Sequence, residues 1–393
     1  MDTADVVVIG GGLMGGASAY YLAKAGAKVT LLEQHEIASG ASGASAGGVR
    51  QQNRLAPELP VAIRSIRMWG SIEQELGLDV EYRRHGHITV CEREEDIPAL
   101  KAAVERQRSM GLDIRVVQGS ELREIVPHIG PQVLAASYCP TDGFANPMLI
   151  TKAFALAAAR EGAQIHTNTR VSSIVREGDR VVGVESSRGR IASRWVLNAA
   201  GAWAPGLSSR IGVDLPIKPR APQMIATEKA APMLKPVVGC IGRNLSLKQM
   251  PQGQFVVGGG WPGIPDLEAD RALTKRGSPN ASATDVTAIF PPTRELAVVR
   301  VWNGPEAQCV DAMPILGTID GLEGYVVATG FSGHGFALGP YVGLLMAELM
   351  TTGKPSHPLD ELSFRRFATF DPERIRQFMG VEITEAKKQK VDA

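Results

Sequence analysis

The stretch Val6-Val7-Val8-Ile9-Gly10-Gly11-Gly12-Leu13-Met14-Gly15-Gly16 decides the fold. β-Branched residues run into a glycine triplet, and a helix-compatible segment follows as far as Ala25. A second apolar run, Val29 to Leu32, then stops at Glu33. Because β-branched residues favour strands and glycines favour tight turns, the pattern predicts a strand, a turn, a helix and a second strand.

Gly10, Gly12 and Gly15 match the G-x-G-x-x-G template, and Glu33 supplies the acid that the template places after the second strand. Gly10 permits a sharp turn, Gly12 lets the backbone approach a pyrophosphate, and Gly15 allows close helix–sheet packing. The helix start favours phosphate charge, and Glu33 can accept hydrogen bonds from ribose hydroxyls. We interpret the unit as dinucleotide-binding; the alternative is a glycine-rich turn in another kind of α/β protein.

The segment Val6 to Ala23 carries no charge and is long enough to resemble a membrane span. A signal peptide would need a basic start, whereas this chain starts Met1-Asp2-Thr3-Ala4-Asp5. The many glycines would also make a poor membrane helix. We therefore interpret the segment as core and predict no transmembrane span.

Composition narrows the function classes. The chain has 393 residues, 44% of them hydrophobic, and a net charge of +1. This length predicts two or three units of domain size, and the near-neutral charge offers no electrostatic basis for nucleic-acid binding. The four cysteines stand far apart without a C-x-x-C pair. This spacing argues against an iron–sulfur cluster or another metal site in this chain, and it fits a reducing compartment.

The pattern of predicted strands and helices changes several times along the chain. Strand candidates at 164–167, 170–176, 181–186 and 190–192 read as a β-meander, and short strands between Pro216 and Trp302 predict an antiparallel sheet. A strand, a glycine-rich turn and an apolar helix return at Tyr325. We predict an α/β protein with a discontinuous dinucleotide-binding domain (1–80, 142–214 and 308–370), a mostly antiparallel α+β substrate domain (81–141 and 215–307), and a C-terminal helix or tail (371–393).

Four motifs together resemble the D-amino-acid oxidase superfamily of FAD enzymes, over nearly the whole chain. They are the opening fingerprint, the loop Ser42–Arg50, the turn Asn198-Ala199-Ala200-Gly201-Ala202-Trp203 and the turn Gly330-Phe331-Ser332-Gly333-His334-Gly335-Phe336. Within the superfamily the chain looks most like glycine oxidase and the β subunits of sarcosine oxidase, opine oxidase and D-hydroxyproline dehydrogenase. The resemblance implies a glutathione-reductase-like Rossmann domain that binds FAD.

The resemblance also assigns roles to matching positions. It implies FAD contacts at Gly10, Gly12, Leu13, Met14, Gly15, Glu33, Gln34, Ser42, Ser45, Ala46, Gly47, Gly48, Val171, Ala200, Gly201, Trp203, Gly330, Gly333, His334, Gly335 and Phe336. The candidate catalytic residues are Arg50 and His334, and the candidate substrate-binding residues are Arg50, Gln51, Lys248, Arg300 and Trp302. His334 has a structural alternative as a turn residue, and Trp302 has one as a core residue.

Departures from the family pattern shape the remaining expectations. Gly304 occupies the place of the flavin-attaching Cys of monomeric sarcosine oxidases, so we expect FAD to be bound non-covalently. Glu306 stands near the place of the glycine-oxidase carboxylate-binding Arg, and Ala337 replaces a carboxylate-binding Lys. Efficient oxidases carry a Lys over the flavin, and the segment Gln254–Gly258 has none, so we expect slow reaction with O2.

The resulting expectation is FAD-dependent oxidation of the C–N bond of a small amino acid or secondary amine acid. The likeness to β subunits implies a second flavoprotein subunit and a small iron–sulfur subunit as partners. We expect a cytoplasmic location, either free or peripheral to the inner face of the membrane. Two alternatives stay open: a 2-hydroxy-acid or glycerol-3-phosphate-type dehydrogenase, and a non-catalytic flavin-fold subunit.

Overall fold

A computed structural model describes residues 2–380, and the predicted tail beyond residue 380 lies outside the described residues. The strands of the first half are β1 (Asp2–Ile9), β2 (Val29–Leu32), β3 (Gly48–Val49), β4 (His87–Cys91), β5 (Arg115–Gln118), β6 (Ala135–Cys139), β7 (Gly143–Phe144), β8 (Gln164–His166), β9 (Val171–Glu177), β10 (Arg180–Ser186) and β11 (Gly189–Asn198). Those of the second half are β12 (Ile217–Arg220), β13 (Gln223–Lys229), β14 (Val237–Cys240), β15 (Ser246–Gln249), β16 (Gln254–Gly258), β17 (Gly263–Asp266), β18 (Arg271–Thr274), β19 (Val298–Asn303), β20 (Glu306–Cys309), β21 (Ile315–Ile319) and β22 (Leu322–Thr329).

The α-helices are distributed along the whole described chain. They are α1 (Leu13–Lys24), α2 (Ala41–Ala44), α3 (Leu59–Trp69), α4 (Ile72–Leu76), α5 (Ile97–Ser109), α6 (Gly119–Ile125), α7 (Pro147–Arg160), α8 (Ala204–Ser209), α9 (Ser278–Ile289), α10 (Gly335–Thr352) and α11 (Pro372–Met379). α7 begins as predicted, because the Asn146 side chain accepts from the N–H groups of Met148 and Leu149.

The first sheet is built around parallel strands in the order β22-β11-β1-β2-β8, with β21 antiparallel at the outer side of β22. The predicted strand–turn–helix–strand opening is confirmed as β1, α1 and β2. The predicted meander is corrected in one respect. β8 pairs parallel with β2, so only β9, β10 and β11 form the antiparallel meander. The fold is therefore the Rossmann-type α/β architecture that the fingerprint predicted.

The second sheet has eight strands in the order β19-β13-β16-β15-β14-β4-β6-β5. All its neighbours pair antiparallel except β14 and β4. Its strands come from the two stretches that we assigned to the substrate domain, although the domain boundaries themselves remain a prediction. Helix α9 interrupts the strand-rich region, and the sequence pattern did not indicate it.

Helices cover the first sheet on the side of α1, which packs between α7 and α10. The approach of α10 is close: a Cβ on Gly343 would lie 2.5 Å from the Cβ of Ala17. One hydrophobic core fills this side, a second lies on the opposite face of the sheet, and a third belongs to the second sheet. The two sheets therefore have separate cores, and the space between them is available for a ligand.

Candidate functional site

Two cavities adjoin at the start of α1. The central cavity, about 550 Å³, is bounded by the starts of α1 and α10 on one side and by residues of β14 and β15 on the other. The distal cavity, about 660 Å³, extends from the start of α1 to the end of β2 and the start of β9. Both are lined by Gly12, Ala41, Ser42, Ala199 and Gly201. Together they outline an elongated site with two unlike ends.

The turn after β1 and the first turn of α1 each contain one position that admits only glycine. Gly10 has a φ of +107°, and a Cβ there would lie 2.6 Å from the carbonyl oxygen of Ala199. A Cβ on Gly15 would lie 1.9 Å from the carbonyl oxygen of Gly10. These contacts match the roles that the fingerprint predicts for its first and third glycines.

The start of α1 faces both cavities with backbone donors. The hydroxyl of Ser42 accepts from the Leu13 N–H at 2.9 Å, and the N-cap residue, Gly12, has no side chain to cover the helix end. Leu13 and Met14 line the central cavity. A helix start with free N–H groups favours an anion such as a pyrophosphate.

Glu33 is buried at the far wall of the distal cavity. One carboxylate oxygen accepts from the Gly11 N–H at 2.6 Å and the other accepts from the His35 N–H at 2.8 Å. A carboxylate has further lone pairs for ligand hydroxyls, so this fixed Glu33 can still bind a ribose.

Most of the residues predicted to bind a dinucleotide come together around these cavities. The distal cavity is lined by Gly10, Gly12, Glu33, Gln34, Ser42, Val171, Ala200, Gly201 and Trp203. The central cavity is lined by Gly12, Leu13, Met14, Ser42, Ser45, Ala46, Gly48, Gly201, Gly333, His334, Gly335 and Phe336. Gly15, Gly47 and Gly330 do not line either cavity; each packs close to neighbouring backbone or apolar side chains. The donors, the acid and the elongated shape fit FAD.

An arginine pair occupies the wall of the central cavity. The Arg50 guanidinium donates to the Gln52 carbonyl at 2.7 Å. The Arg54 guanidinium donates to the carbonyls of Arg50, at 2.8 Å, and of His334, at 3.1 Å. Burial, followed by the charge of Arg50, lowers the pKa of Arg54 to about 10, so it remains a cation at neutral pH. Both guanidiniums bond only to carbonyl oxygens among residues 2–380, which leaves donors for a ligand carboxylate.

His334 is held by a fully buried carboxylate. Its Nδ1 lies 3.0 Å from Oε2 of Glu58, and its side chain is 21% exposed toward the central cavity. Burial lowers the pKa of His334, and the Glu58 carboxylate partly opposes this shift. The geometry assigns Nδ1–H as the donor to Glu58, so Nε2 is the remaining acceptor of the ring.

A second charged pair lines the central cavity near the same turn. Nε of Arg220, on β12, lies 2.8 Å from Oε2 of Glu306, on β20. A Cβ on Gly333 would come within 2.5 Å of the Arg220 guanidinium. The acid that replaces the expected arginine is thus already neutralised by an arginine from another strand.

Four predicted substrate residues lie outside the lining of both cavities. Gln51 is buried and bonds to the Asp142 carboxylate through its backbone and side chain. Lys248 is buried behind the loop at Gly47. Arg300 is exposed and stacks on Trp302, whose indole donates to the Ala44 carbonyl at 3.0 Å. Their assignment to the substrate site stays a prediction.

Sequence reasoning missed Arg54, Glu58, His87 and Arg220 as cavity-region residues. His87 lines the central cavity with a pKa that burial lowers well below normal, so it is neutral. Of these residues, only Arg54 could have been suspected from the sequence, because it closely follows Arg50 on the same loop. The others depend on packing between distant segments. Among residues 2–380, no cluster of His, Cys, Asp and Glu could hold a metal ion.

The length and hydrophobicity of the helices can be compared with the requirements for a membrane span. Within residues 2–380, none of them has both the length and the apolar character needed to cross a bilayer.

Comparison with known proteins identifies the class. The sequence profile described as FAD dependent oxidoreductase matches residues 5–349. The chain therefore belongs to this family of FAD-dependent oxidoreductases, whose cofactor fits the site described above.

Three similar proteins illustrate the range of the family. L-proline dehydrogenase from P. horikoshii has a solved structure with a TM-score of 0.86 and 31% identity, covering 93% of this chain and 98% of that one. Glycine oxidase from Geobacillus kaustophilus is 28% identical, covering 92% of this chain and 97% of that protein. Mitochondrial dimethylglycine dehydrogenase from Mus musculus is 27% identical, over 98% of this chain but only 46% of that protein. This chain thus spans about half the length of some of the relatives that it matches.

Proposed function

We propose that this protein oxidises the C–N bond of a small amino acid or secondary amine acid of the sarcosine, D-amino-acid, D-hydroxyproline or opine class. The observation that carries the proposal is the arginine pair in the cavity wall. Arg50 and Arg54 bond only to carbonyl oxygens among the described residues, so their remaining N–H groups suit a substrate carboxylate. Several relatives are also named for the oxidation of amino acids.

The reaction removes a hydride equivalent from the C–H next to nitrogen and a proton from the nitrogen, which leaves an imine. Water then hydrolyses the imine to a carbonyl compound and an amine or ammonia. Bound FAD supplies the acceptor for the two electrons. The protein's own residues bind the carboxylate and exclude bulk water.

His334 has a role that fits this chemistry. Because Glu58 accepts from Nδ1–H at 3.0 Å, the neutral ring presents Nε2 as a hydrogen-bond acceptor on the cavity side. The lowered pKa keeps the ring neutral at pH 7. In this state His334 can accept a hydrogen bond, or the proton, of a substrate ammonium.

A substrate screen with arginine variants tests the proposal. Sarcosine, D-amino acids, D-hydroxyproline, opines and 2-hydroxy acids are mixed anaerobically with the FAD-loaded protein, and flavin bleaching is followed. Arg54→Ala should raise the apparent Kd for the active amino acid about 10-fold or more, since a charged hydrogen bond is lost. Arg67→Ala, which removes an exposed arginine of α3, is the matched control. Bleaching by hydroxy acids alone, or an unchanged Kd in Arg54→Ala, would contradict the proposal.

We also propose that FAD is held non-covalently. Cys309 is fully buried and lines neither cavity. Cys240 lines the central cavity, but burial raises the pKa of its thiol to about 12, so little thiolate is present to react.

Electron transfer to a partner completes the proposal. The relatives include proteins that are named as single subunits of opine oxidase and of sarcosine oxidase. We infer an assembly with a second flavoprotein subunit and a small iron–sulfur subunit, and slow reaction of the reduced protein with O2. Stopped-flow mixing of substrate-reduced protein with air-saturated buffer, together with light scattering on protein from its native source, tests this inference. Rapid turnover with O2 by a single chain would overturn it.

A further inference from the structure

The hairpin formed by β17 and β18 is separate from both main sheets and forms a two-stranded sheet of its own. Its turn, residues 267–270, reaches the distal cavity, where Ala269 and Asp270 form part of the wall. Glu33 and Val171 line the same cavity. The tip of a hairpin from the substrate-domain stretch therefore lies against the predicted adenosine site.

Asp270 makes most of the contacts that attach this tip; the Trp203 indole also donates to the Leu267 carbonyl, at 3.3 Å. Its carboxylate pairs with the guanidinium of Arg170 and lies 3.3 Å from Nε2 of His35. The same carboxylate accepts from Nε1 of Trp203 at 3.1 Å. The Asp270 side chain is 14% exposed. One carboxylate thus joins three segments of the cavity rim, because His35, Arg170 and Trp203 all line the distal cavity.

The rest of the hairpin is attached differently. Its base is tied to the second sheet through the Thr274 hydroxyl, which donates to Asn303 on β19 at 2.9 Å. Its strands are thinly packed, since Ile264 is 50% exposed and Leu273 is 43% exposed. The base is therefore fixed to the neighbouring structure, and polar contacts at the tip, rather than a hydrophobic core, hold the hairpin against the cavity.

We propose that the β17–β18 hairpin is a clasp over the adenosine half of FAD and that Asp270 holds it closed. A partly buried, charge-assisted contact can resist opening and yet be reversible. Loading of FAD into the folded protein, and its release, require the tip to leave the rim. This inference concerns retention of the cofactor and goes beyond the proposed substrate chemistry.

Cofactor release tests the clasp directly. The FAD-loaded protein is transferred rapidly into flavin-free buffer, and released flavin is measured over time without substrate. Asp270→Ala should release FAD about 10-fold faster than the unaltered protein. Glu268→Ala removes a carboxylate from the same tip, but Glu268 is exposed and has no side-chain hydrogen bond or ion pair among residues 2–380, so its release rate should stay within about twofold. Equal rates in the unaltered protein and Asp270→Ala would overturn the proposal.

A second readout does not depend on flavin release. Arg271 follows the tip and is exposed, so trypsin can cut there when the hairpin opens. In the FAD-loaded protein, cleavage after Arg271 should be several-fold faster in Arg170→Ala, which leaves the residues beside the cleavage site unchanged. Asp270→Ala should be at least as fast, because it removes the contacts to Arg170, His35 and Trp203, and the double variant should be no faster than Asp270→Ala. Unchanged cleavage rates in both single variants would overturn the clasp. This readout also works if FAD is covalently attached, a state that acid precipitation would detect.

Discussion

Among the predicted substrate-binding residues, Lys248 lies in the environment that was least expected from the sequence. It lies on β15 and is 2% exposed, with its ammonium 5.9 Å from the centre of the Phe144 ring. The hydrogen bonds among residues 2–380 include none from this ammonium to a carboxylate, and burial lowers its pKa to about 7. A buried lysine without an anionic partner destabilises the folded state whenever it is charged.

The stability effect of Lys248 has a definite pH dependence. The folded pKa, about 7, is lower than the ordinary value of 10.5, so the unfolded chain binds more protons between these values. Stability should therefore rise with pH across this window, and the penalty is complete below pH 7. Lys248→Met should raise the thermal midpoint at pH 6 by several degrees, since a pKa unit is worth about 1.4 kcal/mol, and by much less at pH 9.5. Lys275→Met, at an exposed lysine, should shift neither midpoint.

At the scale of elements, the starts of α3 and α10 are locked together around the central cavity. The Ser65 hydroxyl and the Trp69 indole both donate to the Ala337 carbonyl, at 2.7 and 2.9 Å. Glu58, the N-cap residue of α3, bonds to His334, the N-cap residue of α10. The glycine-rich turn before α10 is thus positioned by α3.

Removing the charge at this contact should change the protonation of His334. Glu58→Gln keeps the size of the side chain, and because the Glu58 carboxylate raises the pKa of His334, the variant should lower that pKa further. The acid limb of the pH dependence of flavin reduction should move to lower pH, and a histidine NMR titration should show the same direction. Glu75→Gln, in α4 and paired with Lys24, is the control. An acid limb that does not move would remove His334 from the proton-transfer step.

At the scale of the whole molecule, the site lies where the two sheets meet. The central cavity is lined by Leu13 and His334 from the side of the first sheet and by Gly239 and Ser246 from the second. A ligand that contacts both sides stabilises their packing as well as its own site. By mass action, free FAD at 100 times its Kd adds about 2.7 kcal/mol to the free energy of unfolding.

The non-covalent attachment predicts a simple outcome for the loaded protein. Acid precipitation should release all of the yellow colour into the supernatant. Removal of FAD should lower the thermal midpoint, and added FAD should restore it. Colour that remains with the precipitate would show a covalent bond, and an unchanged midpoint would show that FAD does not bind the folded state in preference to the unfolded chain.

The sequence by itself determined the class of fold, and most of the positions that it predicted for the dinucleotide line one of the two cavities. These depend on local rules: glycine spacing in a turn, an acid at the end of a strand and apolar runs of characteristic length. Gly10, Gly15 and Glu33 were therefore predictable from their neighbours in the chain. The pairing of β8 with β2 was not, since a short strand carries no local signal for its partner.

Only the tertiary structure decided which charges meet in the cavities. Arg54 bonds to His334 across 280 positions of the chain, and Asp270 meets Trp203 across 67. Neither contact follows from spacing, because each depends on how separately folded segments pack. Tertiary packing also buried Lys248 and Gln51, two residues that the sequence analysis predicted to bind the substrate. The type of residue determines which chemistry a side chain can perform. Its burial and its neighbours, which only the folded chain sets, decide which of those roles it takes.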